Sequence, residues 1–196
     1  MPMLRLTSED YTITRWSGGT TAQIAIAPPG ASYQARDFLW RISSAAVEDE
    51  RSVFTSLPAY RRCLVLLEGS LLLSHDGGAP FCLRPFQAHE FDGGAATESQ
   101  GLCRDFNLML RKGECQGSLR PLRFSGAEEL TLCCRPPDAR SRPIRLLYCA
   151  GGGGRAAHRG EACGLLPGES LLLEGGGELR LTVPAAADFI LAEIFC

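Results

Sequence analysis

Asp37-Phe38-Leu39-Trp40-Arg41-Ile42-Ser43 reads as a β-strand. Strand side chains alternate between faces, so Phe38, Trp40 and Ile42 share one face. Asp37, Leu39, Arg41 and Ser43 share the other. The first face has the character of core. The second carries a fixed cation with a hydroxyl beside it, which suits recognition of a carboxylate or phosphate better than bond breaking. A register slip of one residue would exchange the two faces, so which of them lines an interior is left open by the pattern.

Working outward, the chain is a succession of short apolar runs ending at glycine, proline or aspartate. Extended segments are expected at 3–7, 20–27, 38–47, 62–67, 70–74, 88–91, 103–111, 130–134, 144–150, 170–174, 178–183 and 189–195. No window sustains an amphipathic helix of useful length. Short strands at roughly regular spacing predict an all-β sandwich or barrel. The chain also repeats a cadence. Leu64 to Leu73, Leu83-Arg84-Pro85 and Glu90 to Gly93 in the first half answer to Ile144 to Gly152, Leu165-Leu166-Pro167 and Leu171 to Glu174 in the second. This resembles a cupin barrel (an RmlC-like jelly roll) present twice, a bicupin. The expected halves are residues 1–115 and 116–196, packed together as one compact unit. The linker around Arg135-Pro136-Pro137-Asp138 is an alternative boundary.

The net charge of -2 gives no reason to expect nucleic acid or an acidic membrane surface as partner. Residues 1–10 lack a basic segment followed by an apolar run, and no apolar stretch reaches membrane-spanning length. The nine cysteines include no CxxC pair. They read as reduced, mostly buried thiols of a cytoplasmic protein. Cys82 and Cys103 would fit facing strands. The three histidines, His75, His89 and His158, are not paired at ligand spacing, so no metal and no cofactor are expected. No Gly-x-Ser-x-Gly elbow is present. The Gly151 to Gly154 run before Arg155 lacks the ending of a P-loop and reads as a surface loop.

What remains is a polar constellation in the first half. Trp16 precedes the Gly18-Gly19 turn and Thr20. Arg41 and Ser43 follow on the next strand. Asp105 and Asn107 share one face of a later strand with Met109. Arg41 also suits a structural ion pair with Asp37 or Asp105, and Trp40 suits core packing. Asp105, Glu90 or His89 could serve as acid or base if buried, but no matched partner is visible.

These segments together resemble the HutD/Ves family. The resemblance rests on Trp16 with Gly18-Gly19-Thr20, on Asp37-Phe38 with Trp40-Arg41-Ile42-Ser43, and on Phe54 with Leu57-Pro58-Ala59-Tyr60-Arg61. It continues through Leu67-Glu68-Gly69, Phe91-Asp92-Gly93 and Asp105 to Met109. It implies a two-barrel cupin without the usual metal triad. It also implies a role in histidine breakdown, as a regulator or sensor binding a small carboxylate such as urocanate or formylglutamate. The candidate ligand-binding residues on this reading are Trp16, Thr20, Arg41, Ser43, Arg61, Asp105 and Asn107, with no catalytic residue. A homodimer is compatible with this reading. The rival readings are a metal-independent isomerase or hydrolase and a protein-interaction module. Ser17, Ala22 and Gln23 stand where the family has asparagine, arginine and glutamate.

Overall fold

The computed structural model describes residues 3–135, 137 and 141–196. Pro136 and Asp138 of the alternative linker lie outside the described residues. The opening stretch becomes a strand from Trp40 onward, and Phe38 lies ahead of it. Its ring stacks on Tyr60 at 4.2 Å between centroids. The Tyr60 hydroxyl donates to the Arg36 and Phe38 carbonyls at 2.8 and 3.0 Å, and Arg111 donates to the same two carbonyls. This clamp fixes the entry of the strand and takes Phe38 out of the expected alternation.

The described residues form nineteen strands and no helix. In the N-terminal unit, Tyr11–Gln116, these are β2 (Thr12–Trp16), β3 (Gly19–Ala27), β4 (Trp40–Val47), β5 (Arg51–Val53), β6 (Tyr60–Gly69), β7 (Leu71–His75), β8 (Phe81–Leu83), β9 (Ala88–Asp92), β10 (Thr97–Gln100) and β11 (Cys103–Arg111). Six of them pair in the order β2-β3-β4-β11-β6-β9, and four in the order β5-β10-β7-β8. The described pairings between named strands are antiparallel. Val47, Leu64, Leu66 and Cys103 of the larger sheet pack with Leu71, Leu73 and Leu83 of the smaller one. The sheets therefore face each other across an interior.

The C-terminal unit is Gly117–Cys196 together with Met1–Asp10. It holds β1 (Leu4–Leu6), β12 (Gln116–Phe124, whose first residue closes the other unit), β13 (Glu128–Cys134), β14 (Pro143–Gly151), β15 (Gly154–His158), β16 (Glu161–Leu165), β17 (Ser170–Glu174), β18 (Gly177–Val183) and β19 (Ala187–Phe195). Their orders are β1-β17-β14-β19-β12 and β13-β18-β15-β16. Leu147, Cys149, Leu171, Leu173 and Phe189 of one sheet pack with Leu132, Ala156, Leu179 and Leu181 of the other. The glycine run is a short connection between strands of different sheets, with Gly151 ending β14 and Gly154 opening β15.

Seven cysteines are free thiols. Burial pushes Cys63 and Cys103 up to about 12, which makes them poor nucleophiles. Cys82 is exposed on β8 while Cys103 is buried on β11. Cys115 and Cys196 are disulfide-bonded, a departure from the all-thiol reading.

Gly69 closes β6 at φ 83°, and a Cβ there would lie 2.2 Å from the Leu102 carbonyl oxygen. Gly69→Ala is expected to cost about 1–3 kcal/mol for the torsion alone. The clash with the adjoining strand adds to that. Urea unfolding measures it, and an unchanged midpoint would contradict the account.

Candidate functional site

Arg41 pairs across to Met109 of β11, and Met109 to Arg62 of β6. In the same way Ser43, Asn107 and Leu64 form one row, and Ala45, Asp105 and Leu66 another. Directly opposed residues share a face. Because Leu64 and Leu66 meet the smaller sheet, Arg41, Ser43, Arg62, Asp105 and Asn107 all point into the interior. Trp40 and Ile42 take the opposite face and are also buried. Two bulges flank the cluster, one between Gln23 and Ala25 and one between Arg104 and Asp105. Bulges re-aim side chains. Here Gln23 accepts from Arg41 Nε at 2.8 Å, while Arg41 Nη1 donates to Ser43 Oγ at 3.0 Å.

The cluster holds two guanidinium groups and one carboxylate. Arg41 and Arg62 are each 6% exposed, and Asp105 is 4% exposed. Among the described residues neither arginine forms an ion pair. Arg41 lies over the Tyr33 ring at 4.6 Å, and Arg62 over Phe54 and Phe91 at 4.7 and 5.2 Å. Burial lowers both arginines, Arg62 to about 10, with Asp105 partly offsetting the effect. Burial raises Asp105 to about 6, against the pull of Arg62, the Ala45 N–H and Arg41. Arg62 Nε, Asp105 Oδ1 and Asn107 Oδ1 are buried without a hydrogen-bond partner. Such groups cost about 1–3 kcal/mol each when left unsatisfied.

Farther along the same interior, Phe91 lies 4.8 Å from His75 and 5.5 Å from His89 between ring centroids. The two histidines meet head to head, Nε2 to Nε2 at 2.8 Å. Thr97 Oγ1 donates to the Ala95 carbonyl and so accepts from His75 Nδ1 at 2.8 Å. His89 Nε2–H is then the donor to His75 Nε2. Both Nε2 atoms are thereby engaged with each other. Among the described residues no group of three or more His, Cys, Asp or Glu side chains is placed to hold a metal.

Of the residues named from sequence, the structure brings Arg41, Ser43, Asp105 and Asn107 together. Trp16 ends β2 at 37% exposure, and its Nε1 donates to Thr21 Oγ1 at 3.2 Å. Thr20 pairs with Ala46, on the face opposite Arg41. Arg61 also points away from the interior, and meets Glu90 at 3.4 Å on a half-exposed surface. Sequence reasoning did not single out Arg62, Gln23 or Tyr33. Arg62 is adjacent to Arg61 in a strand buried on both faces, so no alternation marks it.

Two facing antiparallel sheets in each of two units define a two-barrel cupin fold. A cupin 2 conserved barrel domain protein from Leptotrichia buccalis shares that fold at TM-score 0.57 and 10% identity, covering 98% of this chain and 95% of that one. The chain belongs to the HutD family, whose model matches residues 8–191. It is similar to PA5104 from Pseudomonas aeruginosa PAO1, a conserved protein of unknown function (TM-score 0.81, 28% identity, 99% of each chain). It is also similar to HutD from Pseudomonas fluorescens SBW25, solved in a formate condition (TM-score 0.72, 23% identity, 97% and 98% of the chains). A comparison with curated proteins found no match.

Proposed function

We propose that the N-terminal barrel binds a small carboxylate and that the protein acts by recognition, as a regulator or sensor in histidine catabolism. The observation that carries this is the interior excess of buried cation over carboxylate, together with one orphaned donor and two orphaned acceptors. A fitting ligand offers carboxylate oxygens to Arg62 and Arg41 and an N–H to Asp105 or Asn107. Urocanate and formylglutamate both carry these groups. The family assignment supports the choice. Charge-assisted bonds contribute about 1.5–3 kcal/mol each, so several converging groups suffice for micromolar binding.

A thermal-shift panel of urocanate, formylglutamate, glutamate and a sugar phosphate tests this. Ligand at about a hundred times its Kd stabilises by about 2.7 kcal/mol. No stabilisation by any carboxylate at millimolar concentration would overturn the proposal. The rival enzymatic reading rests on Asp105, because His89 Nε2 is engaged by His75 and Glu90 faces away from the interior. Turnover of a bound carboxylate, lost in a folded Asp105→Asn variant, would favour it.

A further inference from the structure

The two units carry the same buried pair at a constant chain offset. Arg62, Gly69 and His75 each precede Arg145, Gly152 and His158 by 83 residues (145 less 62, 152 less 69, 158 less 75). The geometry repeats with the offset. Gly152 has φ 76° and approaches the Ala186 carbonyl as Gly69 approaches that of Leu102. Arg62 faces Met109, and Arg145 faces Glu193, on corresponding strands. His75 and His158 end corresponding strands, and each has its Nδ1 held from the neighbouring strand.

The two pairs differ in what satisfies them. Leu64, opposite His89, corresponds to Leu147, opposite Leu171. The second histidine is thus a leucine in the C-terminal unit, and His158 Nε2 has no partner. Arg145 is 0% exposed and forms no ion pair among the described residues. Its Nη1 reaches the Leu132 carbonyl at 3.4 Å, while Nε and Nη2 find no acceptor. Glu193, opposite Arg145 in register, favours its charge but forms no ion pair with it among the described residues. His158 donates from Nδ1 to the Glu178 carbonyl at 2.6 Å, and its ring edge packs on Gly177. Leu132 pairs with Leu179, and Cys134 with Gly177. The guanidinium and the imidazole therefore end on the same short ladder between β13 and β18.

We infer that this is a second ligand site, for a small oxyanion, inside the C-terminal unit. Nε and Nη2 are the two parallel donors of the arginine fork, which fits two oxygens of one phosphate or carboxylate. With Nδ1–H committed to a carbonyl, neutral His158 presents a lone pair at Nε2. That lone pair accepts a hydrogen bond from an oxyanion still carrying a proton, as inorganic phosphate does near neutral pH. The anion also neutralises a guanidinium that forms no ion pair among the described residues, a burial that is costly without a counter-charge.

The test is titration of the whole protein with inorganic phosphate in a phosphate-free buffer, read by thermal shift and by the NMR resonances of the His158 ring, assigned with His158→Gln. The expected result is a saturable shift of both. The thermal effect should weaken at least tenfold in Arg145→Met and persist in Arg62→Met. The NMR arm uses the wild-type protein, so it stands even if Arg145→Met fails to fold. Unmoved His158 resonances, or stabilisation kept in Arg145→Met or lost in Arg62→Met, would overturn the site.

Discussion

Arg62→Met is expected to weaken carboxylate binding by about a hundredfold, the loss of two charge-assisted hydrogen bonds or about 3 kcal/mol. The same substitution should leave the unliganded protein at least as stable. Arg62 Nε has no acceptor, the side chain forms no ion pair among the described residues, and its charge is held in an interior that pushes it down to about 10. Replacing a buried, unpaired cation by an apolar chain of similar length is commonly neutral or stabilising. Methionine also keeps contact with Phe54 and Phe91. Calorimetric titration and urea unfolding separate the two effects. Strong destabilisation with unchanged affinity would make Arg62 architectural rather than a binding group.

Asp105→Asn should remove a pH dependence of stability. Asp105 ordinarily titrates near 3.8 and is raised to about 6 in the fold, chiefly by burial. Below the ordinary value both folded and unfolded chains hold the proton, and burial costs nothing extra. As pH rises through this window the unfolded chain releases the proton first, so stability falls. Above about 6 the cost is complete, about 3 kcal/mol for a shift of roughly two pKa units. The stability of the wild type relative to Asp105→Asn should therefore decline by most of that amount from pH 4 to pH 7. A difference that stays flat across that range would contradict the buried-carboxylate account.

The core strands were legible because their apolar runs are long. β4, β6, β11, β14 and β19 all show in the sequence, and all are mostly buried. Of the strands not anticipated, β2, β5, β8, β12 and β16 each lie at a sheet edge, while β10 and β15 are short interior strands. An edge strand has one neighbour and much exposed surface, so its pattern is weak. β12 even accommodates Pro121, which a central strand would exclude. The same burial that revealed β6 concealed Arg62, because a strand buried on both faces does not say which arginine points inward. The meeting of His75 with His89 depends on β7 and β9 facing each other across the interior. That is a tertiary fact with no local signature. The duplication was visible as a cadence of leucines and glycines. Its register, and with it the correspondence of Arg62 with Arg145, needed the strand pairings.

The central claim is that the N-terminal interior holds a carboxylate. A crystal structure with formylglutamate or urocanate soaked to saturation tests it most directly. The account predicts a carboxylate within hydrogen-bond distance of Arg62 Nε and the Arg41 guanidinium, with Asp105 or Asn107 accepting an N–H from the ligand. Ordered water alone around Arg62, Asp105 and Asn107 under those conditions, with any ligand bound elsewhere, would contradict it.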